Sequence, residues 1–317
     1  MEKKYWVLAF YYFTDLADPQ EEVERHKKFF SCRDMKGRIY ISSQGISAQV
    51  SSSIEAGEEY VEWLKKHPSF PGIKIKIQTH TEHAFPRVTI KYRPQLVALD
   101  RKVDMQKVGE RLSPKAWREA LEKKEEDILV IDVRNRYEWE IGHFEGAVLP
   151  PLEQFRDFPS YAKQLKKEKN PKKSKLFIYC TAGIRCEFYS ALLKEEGFDH
   201  VYQLDGGVVQ YGIEEGNKYW KGKLFVFDDR LSVPISEDPV ELISKCSFCD
   251  ALTDFYYNCA NMDCNALFLS CPNCALERKG CCKKECEESN HRREFLPSST
   301  RPKPYRREHL LECGCTP

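Results

Sequence analysis

Cysteine is the residue whose placement in this chain speaks most directly of chemistry. Fourteen are present in 317 residues, and they are unevenly spread. Cys32 stands alone, Cys180 and Cys186 sit together, and eleven follow residue 245. That distribution does not suit the disulfide framework of a small secreted chain. It points to a reducing compartment, with metal ligands at one end and thiol chemistry in the middle. The central pair lies in FIYCTAGIRCEFYSALL, an apolar run that passes into a helix-forming one. A cysteine where a parallel strand gives way to a helix occupies the usual ligand position of an open α/β sheet. Backbone N–H groups from Thr181 to Arg185 can converge there, and the positive end of the following helix adds to them. Arg185 brings a fixed cation, and Gly183 lets the loop curl tightly. All of this favours a thiolate over a thiol, so Cys180 is expected to be the reactive group. Cys186 follows Arg185 directly. It either resolves an oxidised or sulfur-loaded Cys180 or packs as a small residue. Cys180, Arg185 and Cys186 are the catalytic candidates.

The C-terminal cysteines read Cys246-x2-Cys249-x9-Cys259-x4-Cys264-x6-Cys271-x2-Cys274, then Cys281, Cys282 and Cys286. Short pairs of this kind bend around one metal, and the set fits two tetrahedral four-thiolate zinc sites. The expected ligands are Cys246, Cys249, Cys259, Cys264, Cys271, Cys274, Cys282 and Cys286, with Cys282 preferred to Cys281. Either the pairs interleave, Cys246/Cys249 sharing an ion with Cys271/Cys274, or they bind in sequence order; interleaving is slightly favoured. No ligand position is left for water, so the zinc is expected to be structural. Cys313 and Cys315 read as free thiols of the tail.

These groups need more than one domain to hold them. The length predicts two or three domains, and 41% hydrophobic with 12% aromatic residues supplies their cores. Residues 1–98 alternate strands and helices: WVLAFYYF (6–13), a helix over 19–30, GRIYISSQGISAQVS (37–51) as two strands joined at Gly45, a helix from Ile54, then strands at 73–78 and 87–92. The β-α-β-β-α-β order predicts a ferredoxin-like (acylphosphatase-like) α+β domain. A polar linker, 99–112, leads to a central α/β domain over 113–222. Its strands are expected at DILVIDV, GAVLP, KLFIYC and HVYQLDGG, and its helix over Cys186–Glu196 is capped by Gly197. Strands alternating with helices imply a mostly parallel sheet. A connector (223–245), the cysteine-rich module (246–286) and a basic tail (287–317) complete the chain.

The central domain resembles rhodanese domains. IDVRNRYEWEIGHFEGAVLP followed by YCTAGIRC carries the resemblance, with Asp132, Arg134, Glu138, Gly142, His143, Gly146 and Ala147 matching the upstream signature. In that family the loop cysteine accepts sulfur or does related thiol chemistry. Four residues separate it from the arginine, as here, whereas the related phosphatases use five. Asp132 and Arg134 are expected to be an orienting pair, and His143 to pin its loop rather than act as a base. Over nearly the whole chain, the order of a ferredoxin-like half, CTAGIRCE, FVFDDR (Phe225 to Arg230) and a cysteine-rich end resembles the bacterial tRNA uridine hydroxylase family of the TrhO type. The resemblance implies oxygen-dependent 5-hydroxylation of tRNA uridine 34, with O2 as co-substrate and Cys180 as the essential cysteine. The chain departs from the family's usual pattern at Ala182, at Gln44-Gly45-Ile46-Ser47 and at Gln95.

Two other readings share the same thiolate or do without it: a persulfide sulfurtransferase, and a non-enzymatic zinc adaptor. The overall balance, 50 Lys+Arg against 49 Asp+Glu, does not itself point to nucleic acid, and no DNA partner is expected. Local basic runs, 163–175 and 292–309, would contact tRNA phosphates, with Tyr305 stacking on an unpaired base. No apolar run is long enough to span a bilayer. The opening MEKKYWVLAFYYF lacks a small-residue cleavage site and reads as a strand, so a cytoplasmic location without a membrane partner is expected.

Overall fold

The computed structural model describes residues 4–123, 125 and 127–295. The chain falls into two compact units, one ending at Ala98 and the next beginning at Leu99.

The first unit runs β1 (Tyr5–Phe13), α1 (Pro19–Phe30), β2 (Met35–Ser42), β3 (Gly45–Ser53), α2 (Ile54–Lys65), β4 (Lys76–His80) and β5 (Val88–Tyr92). The start of α1 is written locally. The Asp18 carboxylate accepts from the N–H groups of Gln20 and Glu21 at 3.0 and 2.9 Å, and Pro19 loses no hydrogen bond in the first turn. Ser53 caps α2, accepting from the Ala56 N–H at 3.2 Å. The sheet order is β4-β1-β3-β2-β5, antiparallel except where β5 lies parallel to β2. Val23 and Phe30 of α1 and Tyr60 and Leu64 of α2 pack on Leu8, Phe10, Ile39, Ile41 and Val50 in one core. β5 is thus an edge strand added to the expected β-α-β-β-α-β unit. The strand expected at 73–78 begins only at Lys76, because the Ile73 N–H is taken by the Phe70 carbonyl in a turn (3.2 Å) and Ile73 is buried in the core.

The second unit opens with β6 (Glu110–Leu112), α3 (Pro114–Lys123), β7 (Ile128–Asp132), α4 (Arg136–Trp139), β8 (Gly142–Phe144), α5 (Phe158–Glu168), β9 (Lys175–Tyr179), α6 (Ile184–Glu195), β10 (His200–Leu204) and α7 (Gly207–Glu215). The strands β6-β10-β9-β7 form one parallel sheet. Two differences from expectation stand out. Residues 110–112, read as the end of a polar linker, are an edge strand paired with Tyr202–Leu204 of β10. GAVLP forms only a single bridge, Val148 to Ile131, because Pro150 and Pro151 behind it have no N–H to extend a ladder. β11 (Trp220–Gly222) instead pairs with β8, followed by the short ladder of β12 (Leu224–Phe225) and β13 (Ser232–Val233). The cysteine-rich end holds a hairpin, β14 (Tyr256–Asn258) with β15 (Leu267–Leu269), then α8 (Pro272–Glu277) and α9 (Lys284–Glu287). Among the described residues no helix is long and apolar enough to cross a membrane.

Candidate active site

β9 is an inner strand, and Leu176 to Tyr179 are all buried. Such a strand has one chemically useful position, its C-terminal end, and Cys180 stands there. The chain then turns through Thr181, Ala182 and Gly183 into α6. Gly183 adopts a φ of 104°, a left-handed conformation that suits glycine, and its N–H donates to Cys180 Sγ at 3.1 Å. A second helix start secures the loop from outside. The N–H groups of Val208 and Val209, in the first turn of α7, donate to the carbonyls of Cys180 and Thr181, each at 3.0 Å. Gly207 makes this approach possible. Its φ is +66°, and a Cβ there would sit 2.5 Å from the Cys180 carbonyl oxygen and 2.8 Å from the nitrogens of Ala182 and Gly183.

Cys180 and Cys186 are both fully buried. Burial pushes the Cys180 thiol up. Against it act a hydrogen bond from the Cys186 side chain, the charge of Arg185, and the backbone N–H groups of Cys186 and Gly183, and together they hold Cys180 well below the ordinary cysteine value. Cys186 moves the other way, raised by burial and by its bond to Cys180. The two shifts run in opposite directions, which favours the proton on Cys186 and the charge on Cys180.

Arg185 does not stand alone over the loop. Its guanidinium forms a two-pronged ion pair with Glu138, Nη1 to Oε1 at 2.5 Å and Nη2 to Oε2 at 2.8 Å. Glu138 is completely buried, and it also accepts from the Asn135 N–H at 3.1 Å and from the Thr181 hydroxyl at 3.4 Å. This carboxylate ties α4 to both ends of the loop. Resemblance marks Glu138 as part of a signature, and its task is visible only in the fold. The signal available was an acid three residues after Asn135 at a helix start. The expected orienting pair is present beneath it. Arg134 Nη2 meets Asp132 Oδ2 at 2.6 Å and the Gly142 carbonyl at 2.5 Å, with both side chains fully buried. His143 turns its Nδ1 to the Trp139 carbonyl at 2.8 Å. The loop as a whole can present an ionised, dry sulfur at a fixed position.

The C-terminal cysteines gather into two groups in which all sulfurs lie within 4.8 Å of one another: Cys246, Cys249, Cys271 and Cys274, and Cys259, Cys264, Cys282 and Cys286. Four thiolates around an ion at about 2.3 Å have sulfur–sulfur edges of about 3.8 Å. The Cys249–Cys271 and Cys264–Cys282 separations are both 3.7 Å, so each cage is the right size for a tetrahedral ion such as zinc. Cys281 is buried outside them, its sulfur toward the Lys279 carbonyl at 3.8 Å. In the basic run 163–175, Lys166, Lys172 and Lys175 are paired with Glu196, Asp199 and Glu125, while Lys163, Lys167, Lys169 and Lys173 are exposed. Tyr305, Cys313, Cys315 and most of the basic tail lie outside the described residues.

Three family models match consecutive stretches: a UPF0176 acylphosphatase-like domain over 5–96, a rhodanese-like domain over 113–214, and a rhodanese C-terminal region over 221–287. Full-length relatives match as well. The tRNA uridine(34) hydroxylase of Chlamydia muridarum (strain MoPn / Nigg) is 54% identical over 98% of this chain and 94% of its own length. That of Protochlamydia amoebophila (strain UWE25) is 49% identical over 97% and 96%, and that of Chlamydia felis (strain Fe/C-56) 52% over 98% and 96%. Likeness of this depth does not stop at the reactive loop but runs through both units and the cysteine cages, and on it the chain belongs to the tRNA uridine(34) hydroxylase family.

Proposed function

We propose that this chain hydroxylates carbon 5 of uridine 34, the wobble base of tRNA, with molecular oxygen as co-substrate and Cys180 as the nucleophile. The observation that carries the reading is the end-to-end likeness to relatives bearing that activity in their name, since a low-pKa loop cysteine by itself serves sulfur transfer equally well. In the proposed course, the Cys180 thiolate adds to C6 of the uracil ring, and the electron pair displaced from the C5–C6 double bond makes C5 nucleophilic. Oxygen is then delivered at C5. Loss of the C5 proton and of the thiolate restores the double bond. Each turnover takes one O2, two electrons from an external reductant and two protons, and releases water. Arg185 and Glu138 hold the loop in shape, and Cys186 stabilises the thiolate by donating its proton. Zinc in the two cysteine cages is proposed as structural: it would staple the end of the second unit and leave no position open for substrate. The first unit is proposed to bind tRNA, and the protein to work in the cytoplasm.

The test is nucleoside mass spectrometry of tRNA from a strain lacking this chain, complemented with wild type or with Cys180→Ala. The expectation is loss of 5-oxyuridine derivatives in the deletion, restoration by wild type and none by the variant. Unaltered derivatives in the deletion strain would overturn the reading. The rhodanese-like match keeps persulfide transfer as the alternative, and it would be supported by Cys180-dependent thiosulfate:cyanide activity without a change in tRNA.

A further inference from the structure

α4 (Arg136–Trp139) is a single turn, too short to hold its own place, yet Glu138 within it holds Arg185 at the reactive loop. A helix end leaves its last carbonyls without partners inside the helix. In α4, side chains from outside take them up. The Tyr137 carbonyl accepts from the Tyr256 hydroxyl at 2.5 Å, that of Glu138 from Arg134 Nη1 at 3.3 Å, and that of Trp139 from His143 Nδ1 at 2.8 Å. Arg134 and His143 are near neighbours in sequence. Tyr256 stands 119 residues on, in β14 of the cysteine-rich module.

The module holds this tyrosine firmly. Tyr256 is buried and pairs with Leu269 across the hairpin. Cysteines of the two cages flank the hairpin at both ends. Cys259 follows β14 directly, and its N–H donates to the Ala266 carbonyl at 2.8 Å. Cys271 comes two residues after Leu269, whose carbonyl accepts at 3.1 Å from the N–H of Ser247, between Cys246 and Cys249.

FVFDDR supplies the middle of the link. The Phe225 ring meets those of Tyr137 and Tyr256 edge-on, with centres 5.1 and 5.4 Å away. Asp228 and Arg230 lock the turn that follows: the Asp228 carboxylate accepts from the Arg230 N–H at 3.0 Å and from its Nε and Nη2 at 2.8 and 2.6 Å. That turn brings β13 back against β12. Asp254, two residues before Tyr256, then accepts from Lys223 and from the Ser232 hydroxyl, each at 2.9 Å, and ties this ladder to the module.

We infer that the cysteine-rich module positions the active site: Tyr256, seated against Phe225, fixes α4 and through it the Glu138–Arg185 pair beside Cys180. A carboxylate and a guanidinium make two parallel bonds only over a narrow range of positions, so a small shift of α4 opens the pair. Arg185 then holds its charge less firmly near Cys180, and the thiolate loses part of what favours it. Tyr256 is a positioning residue, acting through α4. The inference rests on Cys180 being the reactive group, and not on what its thiolate attacks.

The test uses the full-length protein prepared with zinc. Iodoacetamide is applied over a series of pH values, and the fraction of Cys180 alkylated is read by peptide mass spectrometry. Tyr256→Phe keeps the ring against Phe225 and removes only the hydroxyl. Its Cys180 profile is expected to move to higher pH, with alkylation on the acid side slowed about fivefold, the factor carried by one neutral hydrogen bond. Hydroxylation of tRNA is expected to lose the same factor in kcat with KM unchanged. In a Glu138→Gln background the substitution is expected to add little, since both changes act on one pair. Stripping zinc from the wild type with a chelator needs no substitution. It is expected to move the profile the same way, and added zinc to restore it. An unmoved profile in folded Tyr256→Phe would overturn the inference, whatever the change in thermal stability, and so would an unmoved profile in the chelated wild type. Additive shifts in the double variant would also overturn it, giving Tyr256 a route other than α4. A shifted profile with no hydroxylated tRNA from the wild type would leave the link standing and retire the proposed reaction.

Discussion

At the scale of the residue, the opposite shifts of Cys180 and Cys186 favour a proton on Cys186 rather than Cys180. The folded-state value of Cys180 lies below that of the unfolded chain, about 8.5. Ionisation therefore adds stability that is fully present above that pH and is lost as pH falls through the folded value. With Cys180 as the proposed nucleophile, the acidic limb of a pH–rate profile is expected to report the same proton. Replacing Cys186 by Ala removes the donor. A hydrogen bond to a charged group contributes about 1.5–3 kcal/mol, so the limb in kcat/KM is expected to move up by about one to two pH units. Cys186→Ser keeps a donor and is expected to recover most of the shift, whereas an unmoved limb in both variants would mean that the thiolate does not depend on this bond. The loop itself was legible because its parts are contiguous: Cys180 through Arg185 form one short stretch whose residue types state their use. The partner of Arg185 was not, since Glu138 lies 47 residues away and only the folded sheet brings the two together.

At the scale of the element, what could be read depended on whether local chemistry or tertiary pairing made the structure. α1 runs over Pro19–Phe30 as its amphipathic pattern foretold, and α6 ends one residue before the expected limit, ahead of a Gly197 at φ 103°. β6 could not be read, because three residues show no alternation and the strand exists only against β10. The start of α7 was likewise seen only as the end of a strand, although Gly207 is where that helix meets the loop. Gly207 and Gly146 both have positive φ, +66° and +74°, yet an added Cβ meets backbone at Gly207 and nothing within 4 Å at Gly146. Gly146→Ala is expected to cost about 1–2 kcal/mol from the left-handed backbone alone. Gly207→Ala should cost clearly more in urea denaturation and lower the hydroxylation rate by at least tenfold, because the carbonyl of Cys180 has to yield. Equal losses in the two variants would show that the contact with the loop is slack.

At the scale of the whole molecule, the two units should fail under different conditions. In the first, Glu22, His26 and His67 are buried together beside the half-exposed Arg25, with Glu22 Oε1 at 2.9 Å from His26 Nδ1 and Glu22 Oε2 at 3.2 Å from His67 Nε2. Burial lowers the His67 value. Burial raises that of Glu22, but the bond and charge of His26 and the charges of His67 and Arg25 bring it below the ordinary one. Both groups have folded values below their unfolded ones, so both take up protons on unfolding. Their contribution is whole above about pH 6.5 and declines below it, first through His67 and then, under about 4.3, through Glu22. Hydrogen exchange on the full chain is expected to show peptides from 5–92 losing protection first as the pH is lowered. A strong zinc chelator at neutral pH should instead loosen 246–287 first, and insensitivity of that stretch would argue against metal in its cages. The grouping of those sulfurs has a further consequence for how the chain is made. Cys259 and Cys264 lie inside the loop that Cys249 and Cys271 close, while their partners Cys282 and Cys286 come later in the sequence. As the chain leaves the ribosome, the outer cage is complete at Cys274, with two thiols stranded in its loop until Cys286 emerges. Metal loading of the kind proposed would thereby be given an order, the first ion entering before the second cage is complete.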